Sequence, residues 1–316
     1  LMRSSAASDV YKRQIELSGL LKFNPVYMIL PEIFCANLGG AATMSGDPPN
    51  IIIGTSLGLT FMDFLTNTGI IILIALIAMI IYFYLCFAKK LKEGSHMADS
   101  SAMPDPSSAI SNRLGFMIST MIFLMVVFLL VTHAQTGITV ASIGIIAAVL
   151  TLVTSVDVKG GLLRGIDWKT IYFFVGLFVV VGGLEQTHIL DLLADLISRA
   201  SGGHVMVMVC VILWFSALAS AIIDNIPFAA TMVPVIKALA ITQGIPVETL
   251  AWTLALGTDI GGNATPIGAS ANVVGTSIAS RNGHHITWGQ YCRYALPATI
   301  LCLVICTVML YILHVR

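Results

Sequence analysis

The chain is 316 residues long, 57% hydrophobic and 10% charged, with a mean hydropathy of +0.93. Soluble domains carry about 25% charged residues, so an aqueous surface around the whole chain is excluded and most of its solvent is lipid. Lys and Arg balance Asp and Glu at zero net charge, which excludes a basic face for nucleic acid. The six cysteines, Cys35, Cys86, Cys210, Cys292, Cys302 and Cys306, form no C-x-x-C and read as small apolar packing residues.

In chain order, residues 1–14 stand apart. Asp9–Gln14, DVYKRQ, is what a sequencing-library adapter gives on translation, and Ser4–Gln14 lacks the apolar core of a signal peptide. A cloning scar is expected there, with natural sequence from about Ile15. Residues 15–67 hold an apolar run, 26–58, broken at GGAATMSGDPPN. Residues 68–88 form a clean stretch of the roughly 20 apolar residues that cross a bilayer. A polar loop bearing Pro and Ser follows at 89–113. The region 114–316 holds clean spans at 114–132, 138–156, 171–189 and 294–313. Between them, 190–200 (LDLLADLISRA) has a helical period with polar residues interleaved, as an interfacial helix does. Two more apolar stretches are interrupted, 204–241 at DNIP and 249–280 at DIGGNATPIGASAN.

Orientation follows the distribution of Lys and Arg. If 204–241 enters and returns as a re-entrant hairpin, loops 89–113, 157–170 and 281–293 share one side and hold nine basic residues, against Arg199 and Arg316 opposite. A full crossing would weaken this bias. The charge pattern therefore predicts a hairpin, a cytoplasmic 89–113 loop and an external C-terminus.

The two glycine-rich breaks resemble each other. Asn37–Asn50 aligns with Asp259–Asn272 at an offset of 222 residues, with identities at Gly39/Gly261, Gly40/Gly262, Ala42/Ala264, Thr43/Thr265, Gly46/Gly268 and Asn50/Asn272. Irregular backbone at membrane depth survives only where it is buried in protein or lines a polar cavity. Corresponding interruptions in two halves of a chain point to a transporter's binding site. Gly39–Gly40 and Gly261–Gly262 let the helix unwind and offer carbonyls to a cation. The chain then restarts, with Asp47 as a cap before Pro48 and Thr265–Pro266 in the same role. The restarted N-termini offer N–H groups to an anion or an oxygen-rich solute.

Asp224 and Asn225 sit at the expected hairpin tip, and a carboxylate at membrane depth is a functional candidate by default. Asp259 occupies the position that Asn37 holds in the first break, where a protonatable group could couple transport to H⁺. Asn50 and Asn272 are candidate side-chain ligands, with Thr43, Thr265, Asn263 and Ser270 as further ones. Gly54-x-x-x-Gly58 fits a small-residue packing motif. No phosphate-binding loop of the G-x-x-x-x-G-K-[ST] type occurs.

GGAATMSGDPPNIIIG, DNIPFAATMVPVI, IYFFVGLFVVVGGLEQTHILD and GGNATPIGASANVVG resemble the ion-transporter superfamily. The likeness is to its branch of arsenite permeases, bacterial sodium–proton antiporters (ArsB/NhaD type) and the melanosomal P protein, and it covers the chain after Ile15. It implies an all-α polytopic membrane protein of two inverted repeats, each with a re-entrant hairpin followed by a broken helix. On that pattern the first repeat's hairpin would precede Ile15, making the chain an N-terminally truncated fragment. The implied function is secondary active ion transport by alternating access in the cell membrane. Arsenite or antimonite export, export of another inorganic anion, or Na⁺/H⁺ exchange are the candidates. H⁺ or Na⁺ would be the coupling ion, with no other cofactor and no enzymatic activity. A homodimer and a separate ATPase subunit are the implied partners. Distant relatives that carry dicarboxylates with Na⁺ have Ser-Asn-Thr where this chain has Asp224-Asn225-Ile226. A citrate-like carrier is the alternative, and an ion channel is the alternative of another class.

Overall fold

A computed structural model describes residues 6–95, 113–154, 168–187 and 189–315. Lys159, Arg164 and the terminal Arg316, used in the charge count, lie outside the described residues, as does most of the 89–113 loop. Every regular element described is helical: α1 (Ala6–Leu20), α2 (Val26–Gly40), α3 (Pro48–Leu57), α4 (Phe61–Ser95), α5 (Arg113–Thr136), α6 (Val140–Thr154), α7 (Trp168–Gln186), α8 (Ile189–Ser201), α9 (Val205–Ser220), α10 (Asn225–Gln243), α11 (Val247–Gly261), α12 (Ser270–Arg281) and α13 (Trp288–Leu310). A 3₁₀ turn, Gly262–Ala264, follows α11, and a π turn, Tyr311–Val315, ends α13.

Among the described residues, four helical stretches are long and apolar enough to cross a membrane: Phe61–Lys92, Arg113–Thr136, Asn225–Gln243 and Trp288–Val315. Their outer faces are lipid-like. Leu73, Ile77, Ile80, Ile81 and Leu85 of α4, and Met121, Phe123 and Phe128 of α5, are all exposed. Contiguous apolar surface on this scale needs a partner other than water. The chain is an all-α polytopic membrane protein. The expected span 68–88 extends in both directions. It starts at Phe61 because Thr60 and Asp63 close a reciprocal cap, with Thr60 N donating to Asp63 Oδ2 at 2.8 Å and Asp63 N to Thr60 Oγ1 at 3.1 Å.

The amphipathic segment at 190–200 forms α8. Its Leu190, Ala194, Ile197 and Ser201 are buried on one stripe, while Leu192, Asp195, Leu196 and Arg199 are exposed. Helix α11 is the centre of the molecule, with Thr249 to Gly261 buried on every face. It packs on α9, α10, α3 and α13. The α9 contact is close because α11 presents Gly257 and Gly261 to it: a Cβ on Gly257 would stand 2.7 Å from Leu213 O, and one on Gly261 would overlap the Ala217 backbone. That is the packing motif, one not singled out above. Gly54 instead receives the Met44 side chain, and Gly58, at φ +71°, is the left-handed residue ending α3. The Gly54–Gly58 expectation is corrected accordingly: its second glycine serves a helix stop.

Helix α1 begins within residues 1–14, the stretch read as a cloning scar, and runs through Asp9–Gln14. Tyr11 from that stretch is 2% exposed and lies 3.3 Å from where a Cβ on Gly275 of α12 would be.

Candidate functional site

The two interrupted helices, α2–α3 and α11–α12, carry the same local structure at the 222-residue offset. Helix α3 restarts at Pro48 and α12 at Ser270, the aligned position. The residues just before them are both extended, Asp47 at φ −138°, ψ 144° and Ala269 at φ −145°, ψ 152°. In each break one asparagine side chain ties the loop together. Asn50 Nδ2 donates to Gly40 O at 3.3 Å and Thr43 O at 3.2 Å. Asn272 Nδ2 donates to Gly262 O at 2.8 Å and Thr265 O at 2.7 Å. In each break two glycines cross at backbone contact: a Cβ on Gly40 would stand 3.0 Å from Gly46 O, and one on Gly262 would stand 2.9 Å from Gly268 O. Gly46 and Gly268 are therefore needed for shape, and their identity in the alignment was the signal for it. Gly39 has open space around its Cα, whereas Gly261 serves the α9 contact.

Three of these details correct the sequence reading. Asp47 holds the N-cap position but makes no side-chain cap bond; its Oδ2 instead accepts from Asn225 Nδ2 at 3.3 Å. Thr265–Pro266 does not restart a helix. Thr265 donates its hydroxyl to Ala221 O at the end of α9, and the helix begins four residues after Pro266. The proline rule lost to the repeat register, because Pro266 aligns with Met44 and not with Pro48. The carbonyls of Gly40 and Gly262, expected to be bare, each accept from an asparagine.

The two breaks meet. Asn37 Nδ2 donates to Asn263 Oδ1 at 2.8 Å and to Asn272 Oδ1 at 2.7 Å. Asn272 is thereby saturated and fully buried. The mirror-image position behaves differently. Asn50 is also fully buried, but its Oδ1 has no partner. Its orientation is set, because Nδ2 must face the two carbonyls, which cannot donate. The residue equivalent to Asn37 is Asp259, which lies beside Asn50 and within electrostatic reach of Asp47. Asp259 is 0% exposed and neither carboxylate oxygen has a hydrogen-bond partner. Where the second break has an amide donating to an amide, the first has a carboxylate beside an amide, with no close hydrogen bond to either carboxylate oxygen. Asp259 also stands in the last turn of α11, where the helix dipole disfavours negative charge.

From Asp259 a line of carboxylates leads outward. Asp47 is half-buried, and the exposed Asp224 acts on it electrostatically. Asp224 caps α10 by accepting from Ile226 N at 3.0 Å, and Asn225 is buried beside Asp47. The structure thus brings Asn37, Asn50, Asn263, Asn272, Asp259, Asp47 and Asn225 into one locus. Thr43 and Thr265 contribute carbonyls to it. Ser216 and Ser220 on α9 were missed: Ser220 Oγ donates to Thr258 O at 2.6 Å, and Ser216 Oγ is buried without a partner. The oxygen-rich set suits a proton or a hard cation. Among the described residues no cluster of His, Cys, Asp and Glu has the form of a metal site.

The Asn272 tie gives a first prediction. Asn272→Ala removes two bonds to backbone carbonyls and orphans Asn37, each buried orphan costing about 1–3 kcal/mol. A lowered melting temperature in detergent is expected, together with a smaller loss for Asn50→Ala, whose Oδ1 bonds nothing.

A polytopic helical chain with two interrupted helices facing each other across a buried polar locus belongs to the membrane transporters, and comparison with known proteins agrees. Residues 15–257 match the family model described as citrate transporter, and the chain belongs to that family. It is 37% identical over 295 residues to an uncharacterized transporter of Mycobacterium bovis, covering 92% of this chain and 68% of that protein. It is 27% identical over 306 residues to an uncharacterized transporter of Synechocystis, covering 90% and 67%. The human P protein is 28% identical over 382 residues, which cover 95% of this chain and 45% of that protein.

Proposed function

We propose that this chain is the core of a secondary active carrier that moves a small cation or a neutral hydroxide by alternating access. Na⁺ exchanged for H⁺, or arsenite and antimonite expelled against H⁺, are the solutes it suits. The observation that carries this is Asp259: a fully buried carboxylate whose oxygens make no close hydrogen bond, with the Asn50 amide and the Asp47 carboxylate as its polar neighbours. Burying an unpaired carboxylate costs several kcal/mol in the effective terms that apply inside real proteins. A bound proton or Na⁺ relieves that cost, and releasing it makes the site unstable enough to drive a change of state. The exposed Asp224 at the mouth, with Asp47 and Asp259 behind it whenever their proton or cation is released, disfavours a tricarboxylate anion such as citrate. The departure Asp224-Asn225-Ile226 at the tip points the same way.

In this reading α9–α10 is a re-entrant hairpin and the breaks belong to inverted repeats. Loop 89–113 is then cytoplasmic and the C-terminus external. The paired, asymmetric locus in one chain favours a carrier over a channel, whose pore is usually a ring of subunits. A homodimer holding the scaffold still, and a separate ATPase for arsenite, are the partners this reading would take.

The test uses cells lacking their own arsenite and Na⁺/H⁺ exporters. Growth rescue on high Na⁺ at alkaline pH would assign an exchanger, and rescue on arsenite alone would assign a metalloid permease. Citrate uptake with neither rescue would overturn the proposal in favour of the citrate-like carrier.

A further inference from the structure

Away from the breaks, the C-terminal end of α4 meets the N-terminal end of α13, and a cavity of about 490 Å³ opens there. It is lined by Tyr27, Lys90, Thr287, Gly289, Gln290, Arg293 and Tyr294. Two of these seven residues are cationic and none is acidic. Among the described residues, Lys90 is held in place without a carboxylate. Its Nζ donates to Tyr294 Oη at 2.9 Å and stands 4.7 Å from the centre of the Tyr27 ring, 5.4 Å from Tyr294 and 5.9 Å from Phe87. The rings are themselves braced, Tyr27 against Phe87 at 5.3 Å and Phe87 against Tyr294 at 4.7 Å. Tyr82 Oη donates to Tyr294 O at 3.0 Å. Arg293 also lies near the Tyr294 ring, 5.9 Å from its centre, and acts on Lys90 as a like charge.

An aromatic frame that fixes an ammonium beside a guanidinium, at some cost in repulsion, is organised for an anion. The 23-residue α13 adds the positive end of its dipole at Trp288. Its N-cap, Thr287, accepts from Gln290 N at 3.2 Å, so the first N–H groups before Gln290 remain directed outward. The place matters too. Both helices are membrane-crossing by length and composition, and the cavity sits where they end on the same side. Trp288, 53% exposed, marks the interface there. Basic pockets between helix ends at that level hold lipid headgroups.

We infer that this cavity is a phosphate-binding site for an anionic membrane lipid of the phosphatidylglycerol kind, separate from the transport locus. Lys90 and Arg293 take the phosphate oxygens, while Thr287 and Gln290 offer polar contacts to the glycerol headgroup. The site would fasten α13 to α4 and set how firmly that pair stands while other helices move.

The experiment is native mass spectrometry of the full chain released from detergent containing phosphatidylglycerol or phosphatidylcholine, with inorganic phosphate as a competitor. The wild type is expected to retain phosphatidylglycerol in clear preference to phosphatidylcholine. Lys90→Gln with Arg293→Gln should lower that retention by roughly thirtyfold, about one kilocalorie-scale contact per cation. The charge-keeping pair Lys90→Arg with Arg293→Lys should retain it, which separates lost binding from lost folding. Displacement by millimolar phosphate would keep the site but make its source a soluble phosphate. Equal retention of both lipids, or unchanged retention in the double Gln variant, would overturn the inference. Because none of these residues belongs to the breaks, the result stands apart from the outcome of the growth tests.

Discussion

Asp259→Asn is expected to abolish transport while leaving the protein as stable as before or more so. The two effects have one cause. Asp259 is fully buried with both oxygens unpartnered, and Asn50 Oδ1 beside it is equally bare. An asparagine at 259 brings an Nδ2 to the oxygen that lacks a donor. It would rebuild at the first break the amide-to-amide bond that Asn37 makes to Asn272 at 2.7 Å. A buried hydrogen bond gained and a buried charge removed together should add about 1–3 kcal/mol. The same change removes the only group in that pair that can gain or lose a proton or neutralise a cation. Scanning fluorimetry in detergent, paired with Na⁺- and arsenite-driven pH changes in vesicles, reads both halves. Loss of stability with transport intact would make Asp259 a structural helix-end group and sink the site assignment. The converse change sharpens the logic. Asn37→Asp places a second carboxylate against Asn263 Oδ1 and Asn272 Oδ1, so it should destabilise the protein by at least the worth of two buried bonds, about 1–3 kcal/mol.

Much of this locus was legible in the sequence, for physical reasons that can be named. Glycine pairs inside apolar runs, followed by Asp-Pro-Pro or by polar residues, cannot continue a helix, and both breaks fall where those residues stand. The matching spacing marked Asn50 and Asn272 as equivalent, and their identical ties to the backbone follow from it. The odd position, Asp259 opposite Asn37, also showed in the alignment. What did not show was direction. Asn37 could have served as a helix-end solvating group; only the docking of α2 against the end of α11 turns it toward residues more than 220 positions away. Asp47 before Pro48 reads as a cap in any local analysis, but a partner from α10 competes for its carboxylate. The pattern G-x-x-x-G occurs at both Gly54–Gly58 and Gly257–Gly261, and nothing local says which copy faces another helix. Long-range packing decides such cases, and a pattern of spacing holds no information about it.

That packing makes the second large effect. Gly261→Ala is expected to prevent folding into a stable, monodisperse protein, because there is no room for one methyl group. The added carbon would overlap the Ala217 backbone of α9 rather than a side chain that could turn aside. Gly257, one turn earlier, meets Leu213 O at 2.7 Å and Ser216 Cβ at 2.9 Å on the same terms. To admit either methyl, α9 must retreat from α11. That would break Ser220 to Thr258 and Thr265 to Ala221, the bonds that hang the second break from α9. Overpacking of this kind costs about 1–3 kcal/mol where side chains can relax, and backbone against backbone should exceed that range. Glycines of α7 provide the control. Gly176 and Gly182 have nothing within 4 Å of a built Cβ, so alanine there should be neutral or should stabilise by up to about 1 kcal/mol through helix propensity. Fluorescence-detected size exclusion of the four variants gives the comparison. If Gly261→Ala eluted and melted like Gly176→Ala, α9 and α11 would not be in contact through their backbones, and the second break would have lost its support. On the carrier reading proposed above, the same contact would be a constraint: α9 and α11 would move as one body, so any movement that exposes Asp259 would have to occur between that body and the α2–α3 side.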